Sequence, residues 1–135
     1  MEYEKDHTGL GYSTTFADPT SKITVFFYDH EQKRVSPEMA LESFKKAARD
    51  IAELADRRGA KLGDINAYQM RDPSQRLPLR AEAESSDGLS ELLAVGVVED
   101  CIVKLRFTAQ FPMEKAQVWI KVLTDYLNNG YQQPT

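Results

Sequence analysis

The sequence predicts an α+β fold, with an antiparallel β-sheet of about six strands and two helices in the order β-β-α-β-β-β-β-α. Eight of the ten residues from 89 to 98 are apolar or glycine, and residues 101–107 alternate, so two long strands meet across the polar corner Glu99-Asp100. Near residues 36–57 and 112–127, apolar residues instead recur every three or four positions, which is typical of helices with one buried face. Long antiparallel strands with two such helices define the α+β class.

The N-terminal part of the chain predicts a polar tail followed by two strands. Residues 1–10 are mostly polar and are expected to form the tail. Residues 11–16 have the β-branched and aromatic content of a strand. Residues 23–28 carry large apolar groups on both alternating faces, so this second strand is expected to be covered on both sides.

The first helix has the clearest boundaries in the sequence. Ser36 can cap free backbone donors, Pro37 suits the first helical position, and Glu38 lies near the positive end of the helix dipole. Gly59 is expected to end the helix. The predicted buried face consists of Leu41, Phe44, Ala48, Ile51 and Ala55, broadened by Ala40, Ala47 and Leu54.

The C-terminal half predicts four strands and the second helix. A weaker strand covers residues 64–70, and the two prolines of residues 71–78 mark the largest surface loop. Residues 79–85 alternate small apolar with charged residues, which indicates a strand near an edge with one face in water, and Asp87-Gly88 then favours a tight hairpin. The last helix opens after Pro112. Its predicted inner stripe is Ala116, Trp119, Ile120, Leu123 and Leu127, flanked by Val122 and Tyr126. Trp119 is interpreted as a core anchor or, alternatively, as an interface hot spot.

Composition predicts a single acidic domain. The 135 residues are 41% hydrophobic, which is enough for one core, here residues 11–130 between tails at 1–10 and 131–135. Asp and Glu outnumber Lys and Arg by 21 to 17, which argues against a nucleic-acid partner. The sequence has no run of eighteen apolar residues, so no transmembrane segment is predicted. The single Cys101 excludes an intramolecular disulfide and a cysteine zinc site, and is expected to be a buried, inert thiol.

Catalytic, metal-binding and cofactor-binding signatures are not found in the sequence. His30 lies between Asp29 and Glu31 beyond a strand end, where a metal ligand or base could sit, but acidic loop residues beside a histidine are common. Glu82 and Glu84 lie on the same face of one predicted strand. The alternation of apolar and charged residues explains them as part of the solvent-exposed face of that strand. We therefore predict no enzyme, no metal and no cofactor. The candidate ligand or partner surface consists of Asp29, His30, Arg71 and Arg76.

Four segments resemble a family of small bacterial cell-envelope proteins with the fold of the photosystem II extrinsic subunit PsbP. They are residues 9–13 (GLGYS), residues 23–29 (ITVFFYD), the Ser36-Pro37 helix entry, and residues 103–107 (VKLRF). The resemblance implies an αβα sandwich and a non-enzymatic accessory, binding or assembly role. Its members are usually exported behind a cleaved leader, and none precedes Glu2 here. The expected location is therefore periplasmic or envelope-associated if a leader was removed, and otherwise cytoplasmic.

These observations predict a non-enzymatic accessory or partner-binding domain of the bacterial cell envelope, with an unidentified protein partner and homodimerisation left open. One alternative is a small acidic secretion-type chaperone in the cytoplasm, which would need an exposed apolar patch. The other is a small-molecule binder or enzyme in which the loops near Asp29 and His30 and near Arg71 and Arg76 converge in one pocket.

Overall fold

The computed structural model describes residues 2–5, 11–17, 19–28, 36–98, 101–110 and 112–130. Nine elements follow one another in these residues: β1 (Glu2–Lys5), β2 (Gly11–Ala17), β3 (Ser21–Tyr28), α1 (Pro37–Arg57), β4 (Asn66–Gln69), β5 (Leu79–Glu84), β6 (Ser90–Val98), β7 (Cys101–Ala109) and α2 (Met113–Gly130). The α+β class, the antiparallel sheet and the two helices are confirmed. In the described residues, neither helix is both long and apolar enough to cross a membrane.

All the described strands join one antiparallel sheet in the order β1-β2-β3-β7-β6-β5-β4. The predicted count of about six strands is wrong, because β1 adds a seventh where the sequence predicted a polar tail. Glu2 pairs with Thr15, and Lys5 pairs with Tyr12. A polar segment can form such an edge strand because backbone hydrogen bonds attach it to the sheet. Residues 6–10 and the tail at 131–135 lie outside the described residues.

The two helices pack on opposite faces of the sheet. Along β6, Leu93 and Val95 contact the α1 cluster, whereas Leu92 and Ala94 contact the α2 cluster. This alternation follows from the two-residue period of a strand, and it explains why β6 is apolar on both faces. The α1 cluster is Ala40, Phe44, Ala47, Ile51, Ala81, Leu93, Val95 and Ile102. The α2 cluster is Leu77, Leu92, Ala94, Val103, Leu105, Phe107, Ala109, Ala116 and Ile120.

The start of α1 is as predicted. The Ser36 hydroxyl accepts a hydrogen bond from the Met39 backbone nitrogen at 3.3 Å, and the Met39 sulfur accepts one from the Ser36 nitrogen at 3.4 Å. The predicted buried face is corrected at two positions, since Leu41 is 39% exposed and Ala48 is half-buried, whereas the predicted flanking residues Ala40 and Ala47 are buried. The buried stripe is thus shifted toward the alanines, which allow the helix to approach the sheet closely.

The end of α1 is tied to the turn between β5 and β6. Arg58 Nε donates to Asp87 Oδ2 at 2.8 Å. Hydrogen bonds from Arg58 and then from the Ser85 hydroxyl lower the pKa of Asp87 to about 2. Gly88 has a φ of 87° in this turn, which is the left-handed backbone that the predicted Asp-Gly hairpin requires.

The loop at residues 71–78 crosses the sheet at Gly96. A Cβ placed on Gly96 would lie 1.9 Å from the Arg76 carbonyl oxygen and 2.8 Å from the Leu77 Cα. Leu77 is only 1% exposed and belongs to the α2 cluster. The predicted surface loop is therefore part of the core at this point. At the start of β7, Cys101 is half-buried and not fully buried as predicted.

Candidate binding surfaces

The structure describes two of the four predicted site residues. Asp29 and His30 lie outside the described residues. Arg71 is exposed at the start of the loop, whereas Arg76 is half-buried and lines a groove. Arg71 is not in that lining, so the structure does not bring the two arginines into one site.

The groove containing Arg76 lies between the start of α1, the loop at residues 71–78 and the end of β6. Its volume of about 600 Å³ is within the range of small-molecule sites. Its walls are mostly apolar, with Leu41, Pro78 and Val97 among them, and its polar groups include Glu38 and Arg76. This arrangement can hold a small organic molecule that has both apolar and polar parts.

The outer face of α2 exposes three large apolar side chains. The exposed fractions are 62% for Val118, 46% for Trp119 and 54% for Val122. These residues are neighbours on a helix, because Val118 and Val122 are one turn apart and Trp119 precedes Val122 by three residues. We call this set the α2 patch. The interpretation of Trp119 as a core anchor is wrong.

The inner face of α2 includes Ala116, Ile120 and Thr124, with Leu123 packed beside them. Ala116 is fully buried, and Thr124 is 3% exposed, with its hydroxyl donating to the Ile120 carbonyl at 2.8 Å. That hydrogen bond allows a polar side chain to be buried without an unpaired group. Apolar residues lie on both the inner and the outer face of α2, so periodicity alone could not show which stripe faces the sheet.

The charges around the α2 patch cancel. Glu114 and Lys115 precede the patch, and both are exposed. Lys121 Nζ and Asp125 Oδ2 form an ion pair at 3.0 Å. Two acidic and two basic residues therefore border the patch, although the chain as a whole carries a net charge of −4. A neutral, apolar surface of this kind is more typical of a protein contact than of a nucleic-acid contact.

The side of β5 that was predicted to face water instead faces α2. Arg80 is only 6% exposed, donating from Nε to the Leu77 carbonyl at 2.7 Å and from Nη2 to Gln75 Oε1 at 3.2 Å. Burial lowers the pKa of the Arg80 guanidinium. Glu82 accepts a hydrogen bond from Gln117 Nε2 of α2 at 3.0 Å. The alternation on β5 is as predicted, but its polar side is only partly in water. Arg80 is buried against the loop and holds it in place, Glu82 is half-buried beside α2, and Glu84 is exposed.

A buried carboxyl group that the sequence analysis did not single out lies on the α1 face of β6. Glu91 is 2% exposed, and its Oε2 accepts a hydrogen bond from Thr108 Oγ1 at 2.9 Å and lies 3.5 Å from Arg106 Nη2. Among the described residues, Glu91 Oε1 and Arg106 Nε have no hydrogen-bond partner. In the sequence, this buried carboxyl group could have been identified from the presence of a glutamate within an otherwise apolar strand. Burial raises the pKa of Glu91, although the nearby Arg106 opposes this.

Glu91→Gln is expected to change how stability depends on pH. Because the folded-state pKa of Glu91 is raised, the folded protein retains this proton at pH values where the unfolded chain releases it. The stabilisation is fully present below the unfolded pKa of roughly 4.3 and is lost as the pH rises through the folded pKa. The melting temperature of the natural chain should therefore fall relative to that of Glu91→Gln as the pH rises above about 4.

Glu84→Gln is the matched control for this measurement, because Glu84 is exposed at the end of β5. The difference in melting temperature between the natural chain and Glu84→Gln should change little over the same pH range. A constant difference for Glu91→Gln as well would show that burial does not shift the titration of Glu91.

The described residues contain no group of three or more His, Cys, Asp or Glu side chains that could hold a metal ion. Comparison with known proteins identified no matching family model, no matching curated protein and no matching solved structure.

Proposed function

We propose that this chain is a non-enzymatic accessory or partner-binding domain of the bacterial cell envelope, with a PsbP-like fold, and that it binds its partner through the α2 patch. The observation that carries the proposal is the exposure of Val118, Trp119 and Val122 on one face of a helix whose opposite face is buried in the core. The resemblance in strands β2, β3 and β7 and at the start of α1 supports the family and the envelope location.

The helix itself supports a contact with another protein. A helix at the surface of a monomer usually has a polar outer face, whereas the outer face of α2 exposes three large apolar side chains. Tryptophan is enriched among residues that dominate interface energies. Burial of about half of a tryptophan side chain contributes on the order of 2–3 kcal/mol of transfer free energy. The α2 patch therefore has the composition of a binding surface.

The proposal can be tested by photocrosslinking in cells that make the protein. A benzophenone amino acid replaces Val118 in one variant and Glu53 in a control variant, because both side chains are exposed, on α2 and α1 respectively. After illumination, Val118 should give a discrete adduct that sediments with the envelope fraction, and Glu53 should not. Adding Trp119→Ala to the Val118 variant should reduce the adduct at least fivefold, because it removes the largest side chain of the patch.

Three results would contradict this function. One is equal crosslinking from Val118 and Glu53, which would indicate non-specific collisions. Another is a Val118 adduct that does not depend on Trp119. The third is the complete absence of an adduct from Val118 while the protein is folded and expressed at its natural level.

A second candidate function is a small-molecule binder that uses the groove at Arg76. It is supported by the groove volume of about 600 Å³ and by the combination of apolar walls with Glu38 and Arg76. The exposed position of Arg71 outside the groove weakens the version of this hypothesis in which Arg71 and Arg76 share one pocket.

A secretion-type chaperone would use the α2 patch itself and would differ from the first proposal by its cytoplasmic location.

A further inference from the structure

The exposed residues of α2 are arranged so that the same helix from a second copy could pair with it. Successive residues of an α-helix are rotated by about 100°, so Val118 and Val122 form the centre of the exposed face. Lys115 and Trp119 lie along one side of this centre, and Glu114 and Lys121 lie along the other. Asp125 lies on this second side as well and forms an ion pair with Lys121 within the helix at 3.0 Å. The chain thus presents an apolar stripe with Glu114, Lys121 and Asp125 along one edge.

We propose that α2 packs antiparallel against α2 of a second copy, around a two-fold axis close to Val118. This inference rests on the proposed function, because it names the partner of the same α2 patch. A two-fold axis between antiparallel helices brings the same edge of each helix together while reversing the direction along the axis. A residue that precedes the axis by a given number of positions therefore lies opposite the residue that follows the axis by the same number, on the same edge of the second helix.

One register satisfies the charged and the aromatic residues together. When Glu114 lies opposite Lys121 of the second copy, Lys121 also lies opposite Glu114 of the second copy, so the contact forms twice. Each Lys121 then lies between Asp125 of its own helix and Glu114 of the second copy. The same register places the two Val118 side chains together at the axis and Trp119 against Lys115 of the second copy. A lysine beside a tryptophan ring gives a favourable cation–π contact.

Charge and symmetry favour a second copy over other occupants of the patch. A chain with a net charge of −4 repels its own copies over most of its surface, but the charges that border the α2 patch cancel. The ion pair from Glu114 to Lys121 is self-complementary, as a two-fold interface requires. A contact centred on three large apolar side chains is small, so the dimer should dissociate and reassociate readily.

Cysteine crosslinking tests the register in a Cys101→Ser background. In the proposed dimer, the two copies of residue 118 face each other, so Val118→Cys should form an intermolecular disulfide under mild oxidation. Val122→Cys is the matched control, because Val122 has a similar exposure of 54% against 62%. The two copies of residue 122 would lie about 13 Å apart along the helix axis at 1.5 Å per residue, too far for a disulfide. Val118→Cys should therefore crosslink at least tenfold faster.

Charge reversal provides an independent test by analytical ultracentrifugation at about 0.1–1 mM protein, where weak dimers are populated. Glu114→Lys and Lys121→Glu should each weaken the dimer about tenfold, because each places like charges together at two symmetric positions. The double variant should recover to within about threefold of the natural chain. A merely structural effect of either substitution on α2 would persist in the double variant.

The proposal is overturned if Val122→Cys crosslinks as fast as Val118→Cys, or if the double variant dimerises no better than the single ones. It is also overturned if the natural chain remains monomeric over the whole concentration range. In each of these cases, a photoadduct from Val118 with a different protein would leave the proposed partner-binding function in place. If neither the dimer nor a photoadduct from Val118 is observed, both the proposed function and the proposed dimer are wrong.

Discussion

Phe107→Ala is expected to lower the free energy of unfolding by about 3–5 kcal/mol. Phe107 is 1% exposed in β7 and packs in the α2 cluster, with Leu92 opposite it on β6. Removing the ring loses its transfer free energy and leaves a cavity that the surrounding strands cannot fill without distorting their backbone hydrogen bonds. Urea unfolding followed by circular dichroism would measure the change as a lower midpoint with a similar slope.

Phe26→Ala is a suitable control for this experiment, because it removes the same ring from a half-buried position in β3. The Phe26 ring lies 4.5 Å from Lys104 Nζ, on the half of the α1 face that α1 does not cover. The decrease in the free energy of unfolding caused by Phe26→Ala should be no more than about half of that caused by Phe107→Ala. Equal losses, or a loss below about 1.5 kcal/mol for Phe107→Ala, would show that Phe107 is not in a closely packed core.

Gly96→Ala is expected to destabilise the fold by about 3 kcal/mol or more, although it adds only one methyl group. The new Cβ would lie 1.9 Å from the Arg76 carbonyl oxygen, which is far inside van der Waals contact. The obstacle is backbone, so it cannot move away by a change of rotamer. The loop at residues 71–78 would have to lift from the sheet, which would pull Leu77 out of the α2 cluster and strain the buried contacts of Arg80.

Gly59→Ala separates this crowding from the general cost of replacing a glycine. A Cβ on Gly59 would meet no atom within 4 Å, but its φ of 76° is unfavourable for alanine. We expect a loss of about 1–2 kcal/mol from backbone strain alone. Both variants can be compared by thermal unfolding. A loss for Gly96→Ala no larger than that for Gly59→Ala would show that the loop does not cross the sheet so closely.

The secondary structure could be predicted from local patterns. The start of α1 depends on Ser36, Pro37 and Met39, which are neighbours in sequence, and the hairpin at Gly88 depends on a backbone preference of that residue. The pairing of β6 with β7 follows from two adjacent apolar strands. Strand β1 could not be predicted in this way, because Glu2–Lys5 contributes backbone hydrogen bonds to an edge and has no apolar periodicity.

The candidate surfaces were predicted less well, because they depend on contacts between distant parts of the chain. Periodicity identified α2 as apolar but placed Trp119 inside, since the direction of a helix depends on what it packs against. Alternation identified Arg80 as one of a polar set on β5 but could not show that α2 and the loop cover it. Arg71 and Arg76 are five residues apart in one loop, yet only Arg76 lines the groove.

The sequence by itself determined the α+β class and the helix and strand positions, because hydrophobic period, capping residues and turn residues act within a few positions of one another. Only the tertiary structure decided which side of each element is buried. Burial is set by the element that lies opposite, so Trp119 became exposed, Glu91 and Arg80 became enclosed, and Gly96 became the crossing point of a loop. The proposed binding surface follows from this second kind of information, because an apolar residue indicates a partner only after the core has left it exposed.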